Sequence, residues 1–191
     1  MNISARAQAI ELAREKLSFQ PLYLDTETTG TGQQAEIVEI CVIDDLGQIL
    51  FNSLVKPLRR IPSDAIQIHG ITNELVRSAP LWTDVWSQVS EVLDNRQVGV
   101  YNAEFDTRLI KQTLNNYRLS WHSKPSVQFF CIMKLFAQFR GDWNPSYRNY
   151  RWHSLENAGL YSKIALPNSH RACDDARLAR AILHFIADQI I

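Results

Sequence analysis

Ionisable side chains set into otherwise apolar stretches constrain this chain more than any other feature. They are Asp25 and Glu27 in LYLDTETTG, Asp106 in YNAEFDTRL, and His170 with Asp175 in SHRACDDARLA. Each acid falls where local periodicity aims it inward among apolar neighbours. An uncompensated buried carboxylate is costly, so a fold that collects these groups needs a partner for them. The natural partner is a divalent cation, which prefers oxygen ligands.

Residues 22–27 read as a strand, rich in aliphatic and aromatic side chains and stopped by Thr28-Thr29-Gly30-Thr31-Gly32. Asp25 and Glu27 then share one face, their Cα atoms roughly 7 Å apart, close enough to reach one ion or a close pair. A solvated strand end is the plain alternative, since D-x-E often arises by chance. Asp106 follows a second apolar run, 98–101, that leads into a helix starting near Phe105, where it shares an azimuth with Ile110, Thr113 and Tyr117. An acid in a first helical turn is equally favoured as a cap. A closing helix over 172–186 aligns Asp175 with Ala179, Ile182 and Ile186 and turns Asp174 about 100° away, toward the flank. Asp175 is therefore the inward acid. His170 falls on the loop before that helix, where a lone histidine is as readily structural or exposed.

In order and spacing, DTETTG, YNAEFD and HRACDDA resemble the three exonuclease motifs of the DnaQ-like, DEDDh-type 3′-to-5′ exonucleases of the ribonuclease H-like superfamily, over about residues 22–186. The run IHGIT at 68–72 resembles the family's loop beside the terminal nucleotide. The resemblance implies an α/β, ribonuclease H-like fold with a mixed central five-stranded sheet flanked by helices. It implies an enzyme that hydrolyses phosphodiester bonds at the 3′ end of single-stranded DNA or RNA and releases nucleoside 5′-monophosphates. In that reading Asp25, Glu27 and Asp175 hold one Mg²⁺ or Mn²⁺ ion, Asp25 also touches a second, and Asp106 supports the second directly or through water. His170 is then the general base, and Thr28, Thr29, Gly30, His69, Asn102 and Phe105 are the expected contacts to the substrate end. Many relatives carry a histidine where this chain has Tyr101, a position that tolerates tyrosine.

The chemistry accounts for such a set. Phosphodiester hydrolysis must generate an attacking hydroxide and carry charge on a leaving oxygen, and two hard cations serve both needs. An imidazole adds a base that works near neutral pH.

Composition excludes several classes. A chain of 191 residues, 46% hydrophobic, suits one well-buried domain over 1–191, with 1–20 as an N-terminal packing helix and 21–191 as the catalytic core. The packing stripe is Ala7, Ile10, Ala13 and Leu17; Glu11, Glu15 and the lack of an apolar h-region argue against export, and no run is long enough for a membrane. Three cysteines without metal spacing suggest a reducing, cytoplasmic setting. A formal net charge of zero argues against clinging to duplex by bulk electrostatics, though a small cationic rim suffices for an enzyme that acts on one chain end. The resemblance implies a nucleic-acid partner with a free 3′ end, expected to be single-stranded. Residues 139–152 interleave arginines with aromatics: either they hold single-stranded substrate, or their rings pack under the final helix as common core anchors. A homodimer or association with a polymerase stays open, the absence of an extra tail favouring a freestanding enzyme. A non-catalytic docking subunit would not need all five groups, and a phosphatase with Asp25 as nucleophile would leave His170 and Asp106 unexplained.

The coarse pattern agrees with a mixed sheet covered by helices. Strands are expected at 36–43 and 48–55 around a turn at 44–47, at 98–101 and near 127–130. Helices are expected at 82–93, with Val85, Trp86, Val89 and Leu93 inward, and at 133–139. Asp25 would lie on a central strand, and helices would deliver Asp106 and Asp175 to it.

Overall fold

Alternation within β1 (Leu22–Thr28) decides the architecture. Leu22 and Leu24 enter one apolar cluster and Tyr23 another, so both faces of this strand are covered. The computed structural model describes residues 4–119, 126–166 and 168–190 and places β1 in the middle of a five-stranded sheet. On one side β2 (Ile37–Ile43) and then β3 (Ile49–Leu54) pair antiparallel; on the other β4 (Gln97–Val100) and β5 (Gln128–Cys131) pair parallel. The order is β3-β2-β1-β4-β5. The turn between β2 and β3 is held by the Asp44 carboxylate, which accepts from the N–H groups of Leu46 and Gln48, and by Gly47 at φ 83°.

Helices cover both faces. α3 (Trp82–Leu93) and α4 (Ala103–Asn116) lie over the Leu22 and Leu24 side, burying Trp82, Val85, Trp86, Val89 and Leu93 from the first and Leu109, Ile110 and Leu114 from the second. α1 (Ala5–Ser18), α5 (Ile132–Arg140) and α7 (Ala172–Ala187) cover the Tyr23 side. The α1 stripe is as the spacing predicts: Ala7, Ile10 and Ala13 are buried and Leu17 packs against the same cluster. Arg14 Nε on α1 donates to the carbonyl of Ala187 at 2.8 Å, tying the two ends of the chain together. Two short helices, α2 (Ser63–His69) and α6 (Leu155–Tyr161), were not expected; each has only two turns, too few for a helical period to emerge. Among the described residues no helix is long and apolar enough to cross a membrane.

One expectation is corrected, and one of the two readings of residues 139–152 is set aside. Cys41 on β2 and Cys173 on α7 are joined by a disulfide, with Cys131 left free. The odd count therefore hides one bridge, and cysteine usage no longer argues for a reducing setting. Residues 139–152 do not tuck their rings under the last helix as a group. Phe139 does, edge-on to Phe185 at 5.8 Å, because it still belongs to α5. Beyond it the chain forms a small hairpin, β6 (Trp143–Asn144) and β7 (Asn149–Tyr150), and Trp143, Tyr147 and Trp152 are exposed.

Candidate active site

Strand parity places the first pair of acids. Asp25 and Glu27 follow Tyr23 at intervals of two, so they point to the face covered by α7, while Thr26 points to the face covered by α4. From α7, Asp175 meets them: ligating oxygens of Asp25, Glu27 and Asp175 lie within 4.8 Å of one another. Helical azimuth selects Asp175 as expected. It is buried, whereas Asp174 turns aside to accept from the Ser169 hydroxyl at 2.7 Å and to pair with Arg177 at 3.5 Å.

Asp106 arrives from the first turn of α4 and stands beside this trio rather than within it. It is buried, and the Thr26 hydroxyl donates to its Oδ1 at 2.7 Å. Its charge nevertheless reaches Asp25, whose pKa is raised well above the usual carboxylate value, first by burial and then by Asp106, Glu27 and Asp175. Burial, with Asp175 and Glu39 nearby, pushes Glu27 up to about 8. Burial likewise lifts Asp106 to about 7 and Asp175 to about 6. Arg171, whose guanidinium tempers the rise at Glu27, is committed to Glu39. Crowded oxygen donors without a cation of their own fit a hard divalent ion.

The remaining expected residues fall into two groups. His170 lies on the bend before α7, exposed, at φ 51°, and its charge opposes the upward shift of Asp175. Asn102 is exposed at the start of α4, and Phe105 is half-buried with the Arg108 guanidinium 5.2 Å from its ring centre. The others shape the loop after Glu27. Thr28 donates its hydroxyl to the Gly30 carbonyl at 2.7 Å, and the Thr29 hydroxyl accepts from Glu36 N–H at 2.9 Å. His69 is buried: its Nδ1 accepts from Ile71 N–H at 3.0 Å, which leaves Nε2 protonated to donate to the Thr28 carbonyl at 3.2 Å. Burial lowers the His69 pKa, so the ring stays neutral and braces the loop from behind.

Three supporting residues escaped the sequence reading. Thr26 orients Asp106. Glu39, buried on β2, accepts from Arg171 Nε at 3.2 and 3.1 Å, from Arg171 Nη2 at 2.6 Å and from Ala172 N–H at 2.9 Å, fixing the start of α7. A single acid in the run IVEICVI was the available signal for it. Asn168, with its amide nitrogen turned inward, donates to both oxygens of Asp175 at 3.1 and 2.9 Å; nothing local in the sequence marks it.

This chain is similar to known nucleases over most of its length. It is 39% identical over 182 residues to CP81 of Escherichia phage 186, described as an uncharacterized exonuclease, with 92% of each chain covered. It is 27% identical over 172 residues to DNA polymerase III subunit epsilon of Pasteurella multocida, covering 85% of this chain and 64% of that one. Among solved structures, Exonuclease X in complex with 5′-overhanging duplex DNA superposes with a TM-score of 0.64 at 28% identity, covering 86% of this chain and 89% of that one. The exonuclease family RNase T matches residues 22–183. Because that match runs from the acid-bearing first strand into the helix that carries Asp175, the chain belongs to the RNase T/DnaQ-like family of 3′-to-5′ exonucleases, phosphodiester hydrolases with a ribonuclease H-like fold.

Proposed function

We propose that this exonuclease is of the DEDDh type and shortens single-stranded DNA or RNA from a free 3′ end, releasing nucleoside 5′-monophosphates with two Mg²⁺ or Mn²⁺ ions and a histidine base. The observation that carries the reading is the convergence of Asp25, Glu27 and Asp175 from β1 and α7, oxygens within 4.8 Å. Asp25, Glu27 and Asp175 would hold one ion, with Asp25 and Asp106 serving the other. Bound there, divalent cations supply an acidified water and a Lewis acid for the leaving 3′ oxygen.

The chain's own groups do the rest. The carboxyls shed the protons that burial encourages them to keep, which gives the cations a charged site. His170, exposed at the mouth of the site, accepts a proton from the attacking water at its imidazole and returns it to solvent. Thr28, Thr29 and Gly30, braced by His69, form the bed for the terminal nucleotide, and Asn102 and Phe105 at the start of α4 supply further contacts. Residues 1–191 act as one domain, α1 serving as its packing helix.

A three-substrate comparison in Mn²⁺ tests the proposal. An oligonucleotide with a 3′-hydroxyl should be shortened to 5′-monophosphates, its 3′-phosphorylated form should resist, and p-nitrophenyl phosphate should be untouched. Hydrolysis of the phenyl ester alone would point to a phosphatase. His170→Ala should lower kcat by about 10²- to 10⁴-fold; wild-type turnover would remove the histidine from the mechanism.

A further inference from the structure

The catalytic centre does not use the aromatic hairpin of β6 and β7. Trp143, Tyr147 and Trp152 are 53%, 78% and 56% exposed, an unusual state for rings of that size in a chain that buries Trp82 and Trp86. Trp143 and Tyr150 meet edge-on at 5.2 Å, which stiffens the hairpin while leaving ring faces open. Between the rings stand Arg148, at φ 51° in the turn, and Arg151; both are exposed, and among the described residues neither guanidinium meets a carboxylate. The nearby acid, Asp142, is engaged by Arg140 at 3.1 Å. The tip is thus cationic on a protein with no net charge. A cleft of about 510 Å³ runs along it, lined by Asn144, Tyr147, Asn149, Tyr150, Arg151 and Trp152.

The hairpin is also joined to the catalytic centre. Tyr101, buried at the end of β4, donates its hydroxyl to the carbonyls of His153 and Ser154 at 3.0 and 3.1 Å, pinning the residues that follow Trp152. β4 runs parallel to β1 with Leu22 opposite Val98 and Tyr23 opposite Gly99, so Asp25 and Tyr101 each follow a paired residue by two positions. From Tyr101 the chain passes directly into Asn102 and the helix that carries Asp106. The segment WNPSYRNYRW holds no Ala, Val, Leu, Ile or Met to build a dry protein interface, but it interleaves π-faces with cations, as a single strand of bases and phosphates requires.

We propose that this hairpin is the track for the single-stranded part of the substrate, bases stacking on Trp143, Tyr147 and Trp152 while Arg148 and Arg151 meet phosphates 5′ of the nucleotide being removed. The proposal rests on the exonuclease reading above and adds to it the place where strand length is sensed.

The test compares a trinucleotide with an oligothymidylate of about 20 nucleotides, using wild type, Trp143→Ala/Trp152→Ala and Arg148→Ala/Arg151→Ala. The long oligomer's KM should rise about tenfold for each ring removed, while kcat and all trinucleotide kinetics stay at wild-type values. In the arginine variant the slope of log KM against log salt should shrink by about 1.4, roughly 0.7 per lost phosphate contact. Wild-type KM for the long oligomer in both variants would overturn the track and leave the exonuclease reading standing, assigning the exposed rings to another partner. Failure of wild type to shorten either oligomer would sink the exonuclease reading and the track with it. Should the tryptophan variant lose trinucleotide activity as well, Arg148→Ala alone at the exposed turn decides, and an unchanged long-oligomer KM there overturns the proposal.

Discussion

Glu27, Asp106 and Asp175 hold protons to about pH 8, 7 and 6, chiefly because burial strips water from their charged forms. In the unfolded chain such groups titrate near 4. Folding therefore takes up protons between about pH 4 and pH 8, so raising the pH through that window favours unfolding of the metal-free protein. Glutamine at position 27 carries no charge at any pH. In EDTA, Glu27→Gln should melt above wild type at pH 8, with the advantage fading toward pH 5, and it should be inactive; calorimetry across that range checks the sign. A difference independent of pH would mean that neither burial nor the neighbouring acids hold a proton on Glu27. At this scale the sequence was informative wherever geometry is local. Strand alternation paired Asp25 with Glu27, and one helical step separated Asp175 from Asp174. It could not show that His69 is buried behind the loop it was expected to share with substrate, because that depends on where β1 ends relative to α2.

α7 must be held in register for Asp175 to reach β1, and two devices do so. Glu39 binds both Arg171 and the Ala172 N–H, and the disulfide from Cys41 fixes Cys173 one half-turn before Asp175. Both partners sit on β2, where Cys41 faces Asp25 and Glu39 faces Glu27 in the strand register. Glu39→Ala leaves a guanidinium and a buried N–H unpaired. Because Arg171 is 49% exposed and water can recover part of the loss, the expected cost is about 2 kcal/mol rather than the full value of a buried pair. The expected result is a lower melting temperature together with a higher Mg²⁺ requirement for activity; an unchanged metal requirement would detach Glu39 from the site. The lone acid in IVEICVI marked Glu39 as a residue in need of a partner, but neither pairing was legible beforehand. Cys41 and Cys173 are 132 residues apart, and a pairing at such distance is a property of the finished topology rather than of either motif.

Over the whole molecule, the mixed sheet, its middle strand and the two helices that deliver acids were all readable, since hairpin and strand–helix signals occur in chain order. The hairpin after α5 was not, because the same interleaved rings and arginines suit either burial or a nucleic-acid surface, and only the fold shows which rings remain exposed. The fold brings Asp25, Glu27 and Asp175 together, and cleavage from a 3′ end should depend on a divalent metal held by them. A 5′-labelled single-stranded oligonucleotide, digested in Mg²⁺ and in EDTA by wild type and by Asp25→Asn, tests it most directly when products are sized at nucleotide resolution. Wild type in Mg²⁺ alone should give a ladder shortening one nucleotide at a time from the 3′ end, with intact label in every other lane. Internal fragments, early release of the labelled 5′ nucleotide, or a ladder that survives Asp25→Asn would contradict it.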